Sequence, residues 1–332
     1  MGAARFAVLA FCRSCHLLLL GGAVRILVTG GAGFLGSALS NALARQGHEV
    51  LVLDDLSAGD QTRLDSRVFF HRGEITNRPK LWTLLQGVQC VYHLAARALV
   101  AESILYPREY NDVNVGGTVA LLEAMREVGV PRLVFASSGA IYGAQTTQPV
   151  SETMTPNPQS PYAVSKLAAE YYVHTIGALW GTTTVALRIF NAYGPGQPLL
   201  PSHSPVVSRF MYQALGGGSL VIFGSGEQTR DFVYVDDVVR ALIAASTAPD
   251  VARRTINIGS GEETSIQALA QQVLALTGSS SNIIYSPVQS GGVVHLQSDV
   301  SLARQLLGYE SQMTLKEGLR RTLVEDPRFR RR

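Results

Sequence analysis

Residues 25–36 read RILVTGGAGFLG, a short apolar run that enters a glycine-rich turn with glycines at 30, 33 and 36. Ile26, Leu27 and Val28 have the continuous apolar character of a buried parallel strand, whereas Phe34 onward has the spacing of an amphipathic helix. The turn between them is then a helix N-terminus, whose free amides and dipole favour an anion. Without side chains at Gly30 and Gly33 the backbone can approach a pyrophosphate, and Gly36 lets helix and strand pack closely. The next strand, HEVLVLDD, ends at Asp54, where an acid can meet both ribose hydroxyls of a dinucleotide. That carboxylate would repel a 2′-phosphate, so the sequence predicts NAD rather than NADP.

Outward from this turn, strand-like runs alternate with helical ones from Val24 to about Ile189. Strands are predicted at RILVTG, EVLVLDD, RVFFHRG, CVYHLAA, RLVFASS and TTVALRIF. Helices are predicted at SALSNALARQG, PKLWTLLQG, VGGTVALLEAMREVG and SPYAVSKLAAEYYVHTIGALWG. The alternation implies an α/β fold, a Rossmann-like doubly wound parallel sheet whose crevice opens at the carboxyl ends of the strands. After Asn191 the stretch AYGPGQPLLPSHSP reads as a long surface loop. Beyond it, VVSRFMYQAL, SLVIFG, DDVVRALIAAS, RTINIG, TSIQALAQQVLALTG, NIIYS and SDVSLARQLLG predict a smaller mixed α/β lobe for the substrate. Asp236 and Thr264 are expected helix N-caps there, and Gly308 a helix stop. The expected organisation is therefore 24–190 as the main part of the NAD-binding domain and 191–326 mainly as the substrate lobe. Some segments of that second part are expected to return to the first lobe, and 327–332 form a basic tail.

The 332 residues are 46% hydrophobic and 16% charged, enough for one large core or two lobes and unlike a disordered chain. The formal charge is +3, and leaving out the four arginines of the C-terminal PRFRRR takes it to −1. The body is near neutral, so no nucleic-acid partner is expected and the tail reads as a solvated end. Residues 1–23 have apolar stretches broken by Arg13 and His16 and lack a typical cleavage site, while LLLLGGAV is too short to span a bilayer. They are expected to be a leader or extension outside the working domain, with no membrane partner. Three cysteines do not make a disulfide framework, and Cys90 in an apolar strand reads as a reduced core thiol of a cytoplasmic protein. Cys12-Arg13-Ser14-Cys15-His16 matches the c-type haem attachment pattern but leaves no room for a haem domain before the first strand. Neither haem nor a metal is expected, since no further Cys or His ligands stand nearby at zinc spacing.

Tyr162 and Lys166 lie four apart at the start of a predicted helix and project from one face. A free tyrosine has a pKa of about 10, and lowering it to about 7 takes roughly 4 kcal/mol. A nearby ammonium and a nicotinamide cation can supply that, making Tyr162 a general base at neutral pH. Ser137 and Ser138 close RLVFASS on the rim where ligands bind, offering a hydroxyl to orient a substrate oxygen.

TGGAGFLG, DDLSAG, HLAA, NVGGT, FASSGAIYG, PYAVSK, RIFNAYGPG and FGSGEQTRDFVYVDD occur in that order within residues 25–323. On these motifs the chain resembles the extended short-chain dehydrogenase/reductase family, and within it the NAD-dependent nucleotide-sugar epimerases and dehydratases. The resemblance implies that Gly30, Gly33, Phe34 and Leu35 contact the pyrophosphate, Asp54 and Ser57 the adenosine end, and Glu74 and Ile75 the adenine. Leu94, Ala95, Ala96 and Asn114 would line the middle of the cofactor. Tyr162 and Lys166 would hold the nicotinamide ribose, with Ser138 as the catalytic hydroxyl beside them. For the sugar nucleotide it implies Asn191 and Arg230 at the diphosphate, Phe223 near the uracil and Leu296 bordering the hexose. A planar guanidinium suits phosphate oxygens.

The chain departs from the family pattern at Gln289-Ser290-Gly291-Gly292, where an Arg-x-Gly-Asp segment usually supplies a second diphosphate arginine and a ribose aspartate. Dehydratases of the family place Asp-Glu after the catalytic hydroxyl, and the decarboxylases a Glu before the Tyr-Gly pair. Gly139 and Ala140 stand here instead. The resemblance therefore implies C4 epimerisation of a UDP-hexose or UDP-hexuronate through a 4-keto intermediate by a homodimer, with a dTDP-sugar left open. The alternatives are a dehydratase, decarboxylase or reductase of the same family, or a non-catalytic NAD sensor.

Overall fold

The computed structural model describes residues 22–199, 204–287 and 293–330. The expected leader up to residue 21, the Cys12 and Cys15 motif, the departure at 289–292 and the last two arginines lie outside the described residues. Six strands form where the apolar runs predict them: β1 (Arg25–Thr29), β2 (Glu49–Asp54), β3 (Phe69–Arg72), β4 (Cys90–His93), β5 (Arg132–Ser138) and β6 (Thr183–Ile189). A seventh, Arg254–Ile258, pairs with β6, and the spatial order Arg254–Ile258, β6, β5, β4, β1, β2, β3 is parallel throughout. The order reverses between β1 and β4, which opens a crevice beyond their carboxyl ends.

Alternation along the strands feeds two cores. Ile26, Val28, Val50 and Val52 pack with Leu39, Leu43, Val238 and Leu242 on one face. Leu27, Leu51, Val91 and Leu133 pack with Leu81, Leu121, Met125 and Val173 on the other. Burial on both faces is why these strands read as continuous apolar runs.

Local chemistry fixes the helix that carries the candidate base. Pro161–Trp180 begins at Ser160, whose hydroxyl accepts the Ala163 amide at 3.1 Å, has Pro161 in its first turn, and stops at Gly181 in the left-handed conformation (φ +74°).

Segments of the second half return to the first lobe, among them two read as parts of the smaller one. RTINIG, assigned to the smaller lobe, is the edge strand of the main sheet. The helix Val235–Thr247 likewise packs against Phe34–Arg45. Periodicity alone does not say which sheet a short apolar strand joins. The expected caps also move. Thr264 pairs with Arg230 in a two-residue ladder while Ser265 takes the Ala268 amide at 3.1 Å. Asp236 lies in the first helical turn and is ion-paired at 3.0 Å with Arg321 of the helix Leu315–Glu325. Gly308 ends its helix at φ +60°.

Candidate active site

A cleft of about 580 Å³ opens at the carboxyl ends of β1, β2, β4 and β5. Its floor is the glycine turn. Gly30 has φ +68°, donates its amide to Leu53 at 2.8 Å, and would bring a Cβ within 2.6 Å of the Ala95 nitrogen. The helix Phe34–Arg45 starts at Gly33 with no side-chain cap and no acid in its first turn, so its leading amides face the cleft uncompensated. Asp54, 8% exposed at the end of β2, accepts the Ala32 amide at 3.0 Å and the Leu56 amide at 2.8 Å. Burial raises its pKa, the Leu56 and Ala32 amides pull it back down, and Asp55 adds to the rise.

Ser57, Glu74 and Ile75 line the same wall, with the Ser57 hydroxyl on Asp55 at 2.6 Å. Leu94, Ala95 and Ala96 follow β4 along the opposite wall.

Asn114 is placed differently from the expectation. It sits on a π-helical turn, Asp112–Gly116, buried behind the wall. Its oxygen accepts the Arg97 amide at 2.8 Å, and its nitrogen donates to the Arg97 carbonyl at 3.0 Å and to the Ser165 hydroxyl at 2.9 Å. It thus ties the wall to the helix that carries Tyr162, and its neighbour Val113 lines the cleft. The widened turn changes which residue faces inward, and nothing in the sequence pattern announces such a turn.

Ser138, Tyr162 and Lys166 meet at one end of the cleft. Ser138 closes β5 on the cleft, and Ser137, which also lines it, has its hydroxyl engaged by Glu170, to which it donates at 2.6 Å. Burial raises the Tyr162 phenol, and its hydrogen bond with Ser138 opposes that. Lys166, 3% exposed, holds its Nζ 4.3 Å from the centre of the Phe135 ring. Burial lowers its pKa to about 7, with the Glu170 carboxylate one turn away resisting the drop. Glu170 is itself held by Arg188 at 2.6 Å, in a buried ion pair that keeps the helix on β6.

His93 is not a rival base. It lies between the hydroxyls of Thr29 at 2.7 Å and Thr118 at 2.9 Å, and burial, then Lys166, push its pKa to about 3.

After Ser138 comes a 3₁₀ turn, Gly139–Tyr142, with no carboxylate in it. A Cβ at Gly139 would sit 3.1 Å from the Phe190 ring, so the turn is pressed against the cleft wall.

The residues expected around the sugar nucleotide lie outside the wall of this cleft. Asn191 is exposed on the strand Asn191–Tyr193. Arg230 is largely desolvated, which lowers its pKa, and among the described residues its hydrogen bond is to the adjacent Thr229 carbonyl at 2.6 Å, with no carboxylate partner. Phe223 carries the Arg209 guanidinium 5.0 Å from its ring centre. Leu296 does not border the cleft. It is 6% exposed and packs with Ile141, Tyr142, Val150 and Phe190, supporting the wall from behind.

The sequence reading missed Arg209, a second desolvated arginine whose Nε has no partner among the described residues, and Gln197 and Pro198, which line the cleft. Arg209 gives no signal because it lies inside an ordinary helical pattern. The loop GPGQP did signal a turn without saying where it leads.

Residues 26–259 match the model of the NAD-dependent epimerase/dehydratase family. A putative UDP-glucose 4-epimerase of Methanocaldococcus jannaschii is 36% identical over 301 residues, covering 90% of this chain and 97% of its own. Among solved structures, the UDP-glucose 4-epimerase of Thermotoga maritima with UDP-glucose superposes with a TM-score of 0.88 at 36% identity, covering 91% of this chain and 98% of its own. The UDP-glucuronic acid 4-epimerase of Bacillus cereus, in complex with UDP-glucuronic acid and NAD, gives 0.83 at 33% identity, covering 90% and 98%.

Proposed function

The chain belongs to the NAD-dependent epimerase/dehydratase family, and on that premise we propose that it inverts C4 of a UDP-hexose or UDP-hexuronate. The observation that carries this reading is the convergence of Ser138, Tyr162 and Lys166 at one end of the cleft, with Gly139 and Ala140 where a dehydratase or decarboxylase needs an acid.

The cleft fits NAD. The uncapped helix start at Gly33 suits its pyrophosphate, the turn at Gly30 leaves backbone in place of side chain, and Asp54 stands where the adenosine ribose would lie. NAD, held there, would supply a reversible hydride acceptor for C4 of the sugar.

Tyr162, as phenolate, takes the O4 proton and later gives it back to the ketone oxygen. Ser138 hydrogen-bonds that oxygen and favours the phenolate. Lys166 holds the nicotinamide ribose, and its ammonium lowers the Tyr162 pKa further. Arg230 meets the diphosphate, an assignment supported by a desolvated guanidinium without a carboxylate partner among the described residues. Asn191 adds an amide there, and Phe223 flanks the base.

The finer reading also covers assembly and place. The helices Val100–Leu105 and Pro107–Asn111 pack beside Pro161–Trp180 and leave Ile104 (65% exposed), Leu105 (70%) and Tyr171 (57%) outward, an apolar face that supports a homodimer. A buried, reduced Cys90 is consistent with a cytoplasmic enzyme. Among the described residues no helix is long and apolar enough to cross a membrane.

The test is incubation with a panel of UDP- and dTDP-sugars plus NAD, followed by product NMR. A C4-inverted product of unchanged mass is expected. Loss of water or carbon dioxide would move the protein to a dehydratase or decarboxylase, and NAD binding without any sugar turnover would favour the sensor.

A further inference from the structure

Gln197 and Pro198 enter the cleft on a loop whose backbone is gripped from two sides. The Gly196 amide donates to Asp326 at 2.8 Å, and its carbonyl accepts Arg63 at 2.6 Å. The Gln197 carbonyl accepts Arg328 at 2.7 Å. Asp326 is 1% exposed and holds the Arg328 guanidinium through both oxygens, at 2.9 and 2.6 Å, so the C-terminal turn is a fixed backstop. The Gln197 side chain is spent on the elements that flank the loop, donating to the Ala192 carbonyl of the strand before it at 2.7 Å and accepting from Ser208 of the helix Val206–Leu215 at 2.7 Å.

Arg63 reaches the loop from the cofactor side. It ends the turn Gln61–Arg63, which Asp60 caps. The Asp60 amide bonds to the Ala32 carbonyl at 2.9 Å, and the Ala32 amide is one of the two that Asp54 holds. A continuous chain of bonds therefore runs from the glycine turn through Ala32, Asp60 and Arg63 to Gly196.

We propose that Arg63 is a positioning residue for the sugar nucleotide: it sets the substrate loop against the Asp326–Arg328 backstop from the segment that wraps the cofactor's ribose. This rests on the reading of the cleft as an NAD and UDP-sugar site. Arg63 touches neither ligand's reacting atoms, so its loss should act on binding and spare the chemistry.

The experiment uses the full chain loaded with NAD and compares wild type, Arg63→Ala, Arg63→Lys, Asp326→Ala and the Arg63→Ala/Asp326→Ala pair. UDP-glucose affinity is read by calorimetry, with kcat, KM, bound NAD and Tm alongside. Losing one charge-assisted bond to the loop should weaken UDP-glucose binding and raise KM about tenfold in Arg63→Ala. kcat should stay within about twofold and bound NAD should be unchanged, with Arg63→Lys recovering part of the affinity. Because both side chains hold one residue, Gly196, through its amide and its carbonyl, the double variant should lose less than the product of the single losses.

The proposal is overturned if Arg63→Ala binds UDP-glucose as wild type does, or if kcat, bound NAD and Tm fall together as in a general loosening. It is overturned too if the effects of Arg63 and Asp326 simply multiply. Wild-type protein that binds UDP-glucose but turns over no UDP-sugar would sink the epimerase reading alone, since the affinity comparison still decides the role of Arg63. A wild type that binds neither UDP-glucose nor UDP-glucuronate sinks both, and one that binds only UDP-glucuronate is compared on that ligand.

Discussion

Replacing Tyr162 with Phe removes one oxygen from the centre of the cleft and little else. The ring stands edge-on to Tyr110 at 6.4 Å, a contact that Phe keeps. The lost hydroxyl is a desolvated group bonded to Ser138, so stability should change by about 1 kcal/mol or less. Turnover is a different matter. General base catalysis contributes about 10²–10⁴-fold, equivalent to about 3–5 kcal/mol of barrier. The upper part of that range is expected here, because the His93 imidazole, whose pKa Lys166 helps to lower, is locked between two threonines with its pKa near 3. The assay is conversion of UDP-glucose to its C4 epimer followed by NMR in heavy water, with bound NAD measured by absorbance. Wild type should give product without deuterium at C4, and Tyr162→Phe should retain NAD while losing turnover. A variant within tenfold of wild-type kcat would refute Tyr162 as the base, and solvent deuterium at C4 would refute internal return of the hydride.

Lys166→Met should raise the Tm of the NAD-free protein at pH 6. The folded state holds that ammonium out of water, pulling its pKa from 10.5 to about 7, while the unfolded chain does not. The penalty is full below about pH 7 and fades as pH rises toward 10.5, so the Tm advantage of Met should shrink across that window; an advantage that is flat or grows with pH contradicts the assignment. Asp54→Ala removes the ribose-side carboxylate and frees the Ala32 and Leu56 amides. NAD affinity should fall about tenfold and the preference over NADP should narrow, both measurable by calorimetry, and equal wild-type affinity for the two cofactors would exclude Asp54 from that role. Residues 24–190 expressed alone should not unfold cooperatively in urea, because the sheet lacks its edge strand and the first helix lacks its cover; a single sharp transition from that fragment would show the opposite.

The glycine turn, Asp54 and the six strands were legible because each depends on local composition: continuous apolar runs, a turn without side chains, an acid at a strand end. The meeting of Ser138, Tyr162 and Lys166 was legible through motif order, and the structure adds that the neighbouring Ser137 hydroxyl is engaged by Glu170. The places of Asn114 and Leu296 behind the wall were not legible, because they depend on a shifted helical turn and on what packs there, neither of which is encoded locally. The helix Leu315–Glu325 was missed because its exposed, charged face masks the few apolar positions, Leu319 among them, that bury it. Val100–Leu105 and Pro107–Asn111 were missed because Pro107 splits a stretch too short to display a period.

The edge strand Arg254–Ile258 has a consequence for how the protein is made. When the ribosome has delivered Ile189, β6 exists but one of its flanks is bare, and Leu39 and Leu43 have nothing from Val238 or Leu242 to lie against. Synthesis proceeds at about 5–20 residues per second, so several seconds pass before residue 258 emerges. Throughout that interval an apolar, parallel-paired sheet presents an open row of amides and carbonyls to any other nascent chain. The cofactor-binding half is encoded first, yet the window of greatest aggregation risk closes only after residue 258, well into the translation of the substrate half.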